Sequence, residues 1–344
     1  MWFSSKRRLS HFSFCLRLIS LARLWNLLLL GISFFRSRLL GKPIIWGQPW
    51  ALSVEPAGIC NLQCPECPVG AGVLLRKGSL MPLLLFQKIV NETAPQLMWL
   101  NLYFQGEPML NPQLPAMVAQ AAQHRLYTSM STNGHFLTEH HCQQLIDARL
   151  SRIIISIDGI TPDVYTMYRK GGDLHKVLEG VKRLVQLRRQ SGRQRPFISV
   201  QFVVFKHNEH QIEPLTVWCR ETGVDQLELK SAQINDFGNQ KVAPSSIEGY
   251  SRYRFLQDGS LQIKGKMYNH CFKQWGSAVV SWDGRLAPCC YDKNLDYSPG
   301  NILEMPFKSV WANQNLNHFR SMILKDKKQI EMCRNCTEGR NLLF

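Results

Sequence analysis

The first 46 residues of this 344-residue chain contain no aspartate and no glutamate. Every charge there is positive: Lys6, Arg7, Arg8, Arg17, Arg23, Arg36, Arg38 and Lys42 supply about half of the net charge of +16. An arm of one sign points to an anionic surface, phospholipid before nucleic acid. A long apolar run is also missing. Trp25–Phe35 is bracketed by Arg23 and Arg36, and a bilayer span needs about 20 apolar residues, which excludes a transmembrane helix here. The arm reads instead as a basic amphipathic helix or two, lying flat on a membrane with Trp, Phe and Leu dipping in, or packed on the main domain. No A-x-A-like cleavage site follows, which excludes a standard secretory signal. The eleven cysteines are therefore expected in a reducing cytosol, as metal ligands rather than disulfides. The expected localisation is cytoplasmic, peripheral to the inner face of the membrane. No period of 20–50 residues recurs, which excludes a repeat architecture.

From residue 50 short apolar strands alternate with helical segments. The strands read as Trp50–Val54, Leu97–Tyr103, Leu126–Met130, Arg152–Ile157, Phe197–Val204 and Asp225–Lys230. Asn111-Pro112, Thr138 and Thr161-Pro162 read as helix caps, two with proline at the first helical position. Six β–α units in series predict an α/β fold with a parallel sheet, open or forming a partial barrel. After about residue 231 the rhythm stops. Residues 232–270, with Gly238, Pro244 and Gly259, read as an irregular connection, and a small cysteine-bearing domain follows from Cys271.

The most informative motif is Cys60-Asn61-Leu62-Gln63-Cys64-Pro65-Glu66-Cys67, directly after the first strand. A structural zinc site wants four ligands, and the next histidine is His124. Iron–sulfur cubanes normally take four cysteines. A three-cysteine loop leaves one iron without a protein ligand, open to a small molecule. This C-x3-C-x2-C loop resembles the radical S-adenosylmethionine superfamily. The resemblance implies that the amino and carboxylate groups of S-adenosylmethionine complete the cluster. The residue before the last cysteine is commonly aromatic in that family; here it is Glu66.

Other matches fall at strand ends, where a β/α barrel places its active site. Gly106-Glu107-Pro108 resembles the family's glycine–glutamate motif, in which the carboxylate accepts charge-assisted hydrogen bonds from the methionyl amine. Thr132 and Asn133 sit in a turn after strand three. The resemblance assigns Ser156, late on strand four, and Arg169, on the next helix, to the ribose and methionyl carboxylate. Asp158 reads as a ribose partner or a turn residue. Lys206–Asn208 and Lys230–Gln233 end strands five and six beside the pocket.

A second set, Cys271, Cys289, Cys333 and Cys336, is spaced C-x17-C-x43-C-x2-C, with Asp283-Gly284 as a tight turn between apolar runs. It resembles the SPASM/twitch extension of the same superfamily. Four thiolates would close one auxiliary [4Fe-4S] cluster, an electron carrier; structural zinc is the competing occupant. Cys290 competes with Cys289, and the Gly284 spacing favours Cys289. Cys142 and Cys219 read as buried thiols, and Cys15 has no evident partner. The resulting division is a basic arm at 1–46, a partial (β/α)6 TIM-like barrel at 47–231, a connection at 232–270 and an auxiliary-cluster domain at 271–344. The resemblance implies a [4Fe-4S] cluster held by Cys60, Cys64, Cys67 and S-adenosylmethionine. It further implies an external one-electron reductant, flavodoxin- or ferredoxin-like. The resemblance leaves the substrate open among a peptide or protein side chain and a sugar, and the basic arm adds a lipid-linked small molecule. Two rivals stand beside this reading. A zinc-stabilised nucleic-acid-binding protein requires basic–aromatic interleaving across the main domain, whereas the positive charge gathers in the arm. An electron-transfer protein leaves Gly106-Glu107 and the open iron unexplained.

Overall fold

A computed structural model describes residues 16, 18–235, 242–257 and 260–340. The first part of the basic arm, including Lys6, Arg7, Arg8, Cys15 and Arg17, and the glycines Gly238 and Gly259 lie outside the described residues. The chain folds around one eight-stranded sheet in the order β10-β9-β1-β2-β3-β4-β5-β6. Its strands are β1 (Ala51–Val54), β2 (Trp99–Leu102), β3 (Tyr127–Thr132), β4 (Arg152–Ser156), β5 (Phe197–Val204), β6 (Gln226–Ser231), β9 (Ser277–Val280) and β10 (Leu286–Ala287). Strands β1 to β6 run parallel. β4 and β5 are buried along most of their length because helices cover a parallel sheet on both faces, whereas β1 and β2 bury alternate residues. Leu52, Val54, Leu100, Leu102, Ile153, Ile155, Val200 and Phe202 are fully buried, each worth about 1.5–3 kcal/mol relative to exposure. Among the described residues the sheet does not close: β6 and β10 stand at its two edges.

Helix α1 (Leu21–Leu40) precedes the sheet, and α2 (Leu83–Thr93), α3 (Leu114–Gln123), α4 (Glu139–Asp147), α5 (Pro162–Tyr168), α6 (Leu174–Gln190) and α7 (Ile212–Thr222) follow successive strands. Thr138 caps α4 by accepting from the His141 amide at 3.3 Å, and Pro162 opens α5. Asn111 does not cap α3, which starts later behind Gln113. The Asn111 amide instead donates to the carbonyls of Pro56 and Met81 at 2.8 and 2.9 Å, pinning the loop after β1.

Asp283-Gly284 turns between β9 and β10, which pair antiparallel, and β9 also joins the main sheet, pairing in parallel with β1, Val54 opposite Val280. The C-terminal region thereby covers the edge that β1 would otherwise leave unpaired. The connection is not wholly irregular. Strands β7 (Tyr253–Phe255) and β8 (Leu261–Ile263) form a small antiparallel ribbon, and Tyr253 packs with Phe205, Ala232, Ile234 and Val242 in a satellite core.

Candidate active site

The cysteine loop leaves the C-terminal end of β1 and folds back over the sheet. Its return requires close backbone contact at two glycines. A Cβ on Gly70 would stand 2.4 Å from the Cys64 nitrogen, and one on Gly106 would stand 2.2 Å from the Ala57 carbonyl oxygen. Glycine at 106 lets the β2 end lie against the loop, where the Glu107 amide donates to the Ile59 carbonyl at 2.8 Å.

The loop's far end is locked by a buried ion pair. Arg76 donates to both oxygens of Glu55, at 2.8 and 2.6 Å, and its Nε donates to the Lys293 carbonyl at 2.8 Å. The Glu55 carboxylate is fully buried and also accepts from the Trp282 amide. Burial is the largest influence on its proton affinity and raises it, with the Arg76 bonds opposing. Arg76→Met would strand a buried carboxylate, at a cost of about 3–5 kcal/mol. A clear fall in the thermal midpoint of the anaerobic protein is the expected result; an unchanged midpoint contradicts it.

Cys60, Cys64 and Cys67 line one cavity of about 150 Å³ together with Gly106, Glu107, Thr132, Asn133, Ser156 and Arg169. Eight of the nine are residues that the sequence singles out at four successive strand ends, and the ninth, Arg169, caps α5. Glu107 is the hub. Its Oε1 accepts from the Thr132 hydroxyl at 2.7 Å and the Met109 amide at 3.1 Å, and its Oε2 accepts from the Asn133 amide at 2.7 Å. Asn133 then reaches the cysteine loop, donating to Asn61 Oδ1 at 2.8 Å and to Cys60 Sγ at 3.8 Å. Burial of Glu107 raises its proton affinity, and these donors pull it back down.

Arg169 is not an exposed helix-end charge. It follows the last turn of α5, its side chain is 14% exposed, and it pairs with Asp158 at 2.6 Å. Its Nη1 donates to Cys64 Sγ at 3.8 Å. Asp158 is fully buried behind the cavity wall: Oδ2 takes Arg169 and Oδ1 takes the Val203 amide at 2.6 Å. This geometry makes Asp158 a positioning partner of Arg169 and supports no direct contact with a ribose. Glu66 likewise turns away, accepting from the Asn235 amide at 2.6 Å beyond β6. The aromatic rings at the cavity are Tyr103, Phe104 and Tyr168. No motif marks them, because each is brought in by a strand or helix end rather than by the cysteine loop.

The C-terminal cysteines also converge. Cys271, Cys289, Cys290, Cys333 and Cys336 line one small enclosure. Cys290 is the exposed member of the group, while Cys271, Cys333 and Cys336 are buried and Cys289 half-buried. Between the two cysteine groups lies a larger cavity of about 560 Å³. Its wall includes the direct sequence neighbours of four cysteines: Pro68 beside Cys67, Tyr291 beside Cys290, Met332 beside Cys333 and Asn335 beside Cys336.

The donor sets fit iron–sulfur clusters. Burial pushes the Cys64 and Cys271 thiols up to about 11 and Cys333 up to about 12. Such thiols ionise only against a bound cation, which iron provides.

Comparison with known proteins agrees with this geometry. Residues 54–217 match the radical SAM superfamily, and residues 271–337 match SPASM, an iron–sulfur cluster-binding domain. A tungsten-containing aldehyde ferredoxin oxidoreductase cofactor-modifying protein of Pyrococcus furiosus is 28% identical over 300 residues, 78% of this chain and 82% of that protein. A PqqA peptide cyclase of Gluconobacter oxydans is 25% identical over 308 residues, 84% of this chain and 82% of that protein. In fold, the chain is similar to Streptococcus suis SuiB bound to its precursor peptide SuiA, with a TM-score of 0.63, 13% identity, and coverage of 91% of this chain and 78% of that one.

Proposed function

The chain belongs to the radical SAM superfamily and carries a SPASM-type auxiliary iron–sulfur domain, and from that premise we propose that it carries out a net two-electron oxidation of a polar substrate held between its two cysteine groups. The observation that carries this reading is the cavity of about 560 Å³ whose wall contains the neighbours of cysteines from both groups. When bound, the two clusters and S-adenosylmethionine supply reductive cleavage to a 5′-deoxyadenosyl radical, hydrogen-atom abstraction, and an acceptor for the electron left on the substrate.

The chain's own residues bind and orient. Cys60, Cys64 and Cys67 would hold the first cluster, with one iron left for S-adenosylmethionine. Glu107, its carboxylate fixed by Thr132 and Asn133, would accept from the methionyl amine. Arg169, locked by Asp158, sets positive charge beside Cys64 and would serve the methionyl carboxylate. Ser156 would serve the ribose, and Phe104 and Tyr168, which line the same cavity, would serve the adenine where Glu66 does not. Cys271, Cys289, Cys333 and Cys336 would hold the auxiliary cluster. Gln233, Asn235, Lys293 and Asn335 give the larger cavity hydrogen-bonding walls, which supports a peptide side chain or sugar as substrate. A flavodoxin- or ferredoxin-like protein delivers the initiating electron.

The direct test is 5′-deoxyadenosine formation when the anaerobically purified protein is reduced in the presence of S-adenosylmethionine; iron-replete protein that forms none contradicts the reading. Glu107→Gln places an amide nitrogen among three donors and removes the charge. The expected result is S-adenosylmethionine binding weakened about 10- to 100-fold, the equivalent of a charged hydrogen bond of about 1.5–3 kcal/mol. Equilibrium dialysis checks this, and unchanged affinity removes Glu107 from the site.

A further inference from the structure

Helix α1 is amphipathic in the inverted sense. Its inward face carries Arg23, Asn26, Ser33 and Ser37 beside Leu30 and Phe34. Arg23, 6% exposed, donates to four carbonyls, those of Leu18, Arg125, Ala94 and His124, at 2.6 to 3.2 Å. Asn26 exchanges two bonds with Gln48, and Trp275 donates to Ser37 and Ile44. The outward face is apolar: Leu21 is 86% exposed, Trp25 61%, Leu28 49%, Ile32 41%, Phe35 48% and Leu39 84%. At 100° per residue these positions and Leu24 fall within about 60° of one line, a stripe about 27 Å long. Soluble surface helices carry the opposite pattern, and an exposed apolar patch of this size marks an interaction face.

We propose that this stripe docks on an anionic phospholipid bilayer and holds the catalytic mouth pointing away from it. Charge selects the occupant. Arg36 and Lys42 border the stripe as exposed cations, with Arg36 stacked 5.3 Å over the exposed ring of Trp46. Residues 1–54 contain no acidic side chain. Pairing with a second copy would set two such cationic rims against each other. Anionic headgroups neutralise the same rim while Trp25, Phe35 and the leucines enter the interface. No helix among the described residues is long and apolar enough to cross a membrane, and the anchored polar face fixes α1 as a flat-lying element.

The direction follows from where α1 sits. Its partners Gln48, Ala94, Arg125 and Trp275 lie just before β1, β2, β3 and β9, at the N-terminal ends of the strands. The cysteine loop, Glu107, Asn133 and Arg169 lie beyond the C-terminal ends. A docked molecule therefore turns its cavity to the aqueous side, with the sheet between mouth and lipid. The substrate arrives through water or on a soluble carrier, and a lipid-embedded substrate is excluded. Only this statement about the mouth rests on the proposed function.

The test is flotation of the full-length, iron-replete protein with phosphatidylglycerol-containing vesicles and with pure phosphatidylcholine vesicles. At least tenfold more protein is expected on the anionic vesicles. Trp25→Glu combined with Ile32→Glu, and the uncharged pair Trp25→Ala and Ile32→Ala, should each lower that binding at least tenfold. Both pairs should leave 5′-deoxyadenosine formation and the thermal midpoint unchanged. Equal flotation of parent and variants overturns the proposal. So does a parent that binds neither vesicle, or a parent dimer that the variants dissolve. Hydrogen exchange on the vesicles should slow over residues 21–46 and not over 60–76 or 290–297; slowing at the latter two overturns the orientation. Flotation without 5′-deoxyadenosine would contradict the proposed function and leave the docking face standing.

Discussion

Cys64→Ser should reduce 5′-deoxyadenosine formation to background and lower the iron content from about eight to about four atoms per chain, the loss of one of two cubanes. The cause is local. Burial drives the Cys64 thiol up to about 11, so only bound iron keeps it a thiolate, and the Arg169 guanidinium at 3.8 Å supports that charge. A serine hydroxyl is a harder and far weaker acid, and in the same buried place it stays protonated. The Arg169–Asp158 pair and the Glu107 cluster remain intact beside it, so the variant folds and keeps its C-terminal cluster. Iron and sulfide analysis with chromatographic assay of 5′-deoxyadenosine checks both halves. A variant that retains full iron and cleavage removes Cys64 from the cluster.

The second large effect separates the two cysteine groups. Cys333→Ala combined with Cys336→Ala should leave 5′-deoxyadenosine formation within about twofold, lower iron to about four atoms per chain, and abolish oxidised product once the substrate is supplied. Cys333 lies on a single helical turn, Glu331–Arg334, and Cys336 follows it, each sulfur facing the enclosure shared with Cys271 and Cys289. No residue that lines the first cavity is touched by the change. Cys290→Ala serves as the control, because Cys290 is exposed: iron and product should both persist. Product formation by the double variant would contradict a role for this cluster as electron acceptor. Loss of iron in Cys290→Ala would exchange the assignments of Cys289 and Cys290.

Much of the site is legible in the sequence because it is built from strand ends, and strand ends are local signals. The cysteine loop, Gly106-Glu107, Thr132-Asn133 and Ser156 each follow an apolar run, and a parallel sheet gathers such positions at one end. Two kinds of residue escape that logic. Pairings between distant segments carry no local mark: β9 joins β1 across more than two hundred residues, and Arg76 binds the Lys293 carbonyl as well as Glu55. Residue roles are equally hidden where two charges neutralise each other. Asp158 ends a strand just as a ligand would, yet its carboxylate is consumed by Arg169 and the Val203 amide. The basic composition of the arm points to an anionic surface without revealing that Arg23 turns inward while the leucines turn out.

The open iron is the centre of the account, and electron paramagnetic resonance of the reduced protein, with and without S-adenosylmethionine, tests it most directly. Direct chelation should change the signal of one cluster and leave the other untouched. The responsive signal should vanish in Cys64→Ser and survive in the Cys333, Cys336 double variant. A spectrum indifferent to S-adenosylmethionine, or a response that follows the C-terminal cysteines, would contradict it.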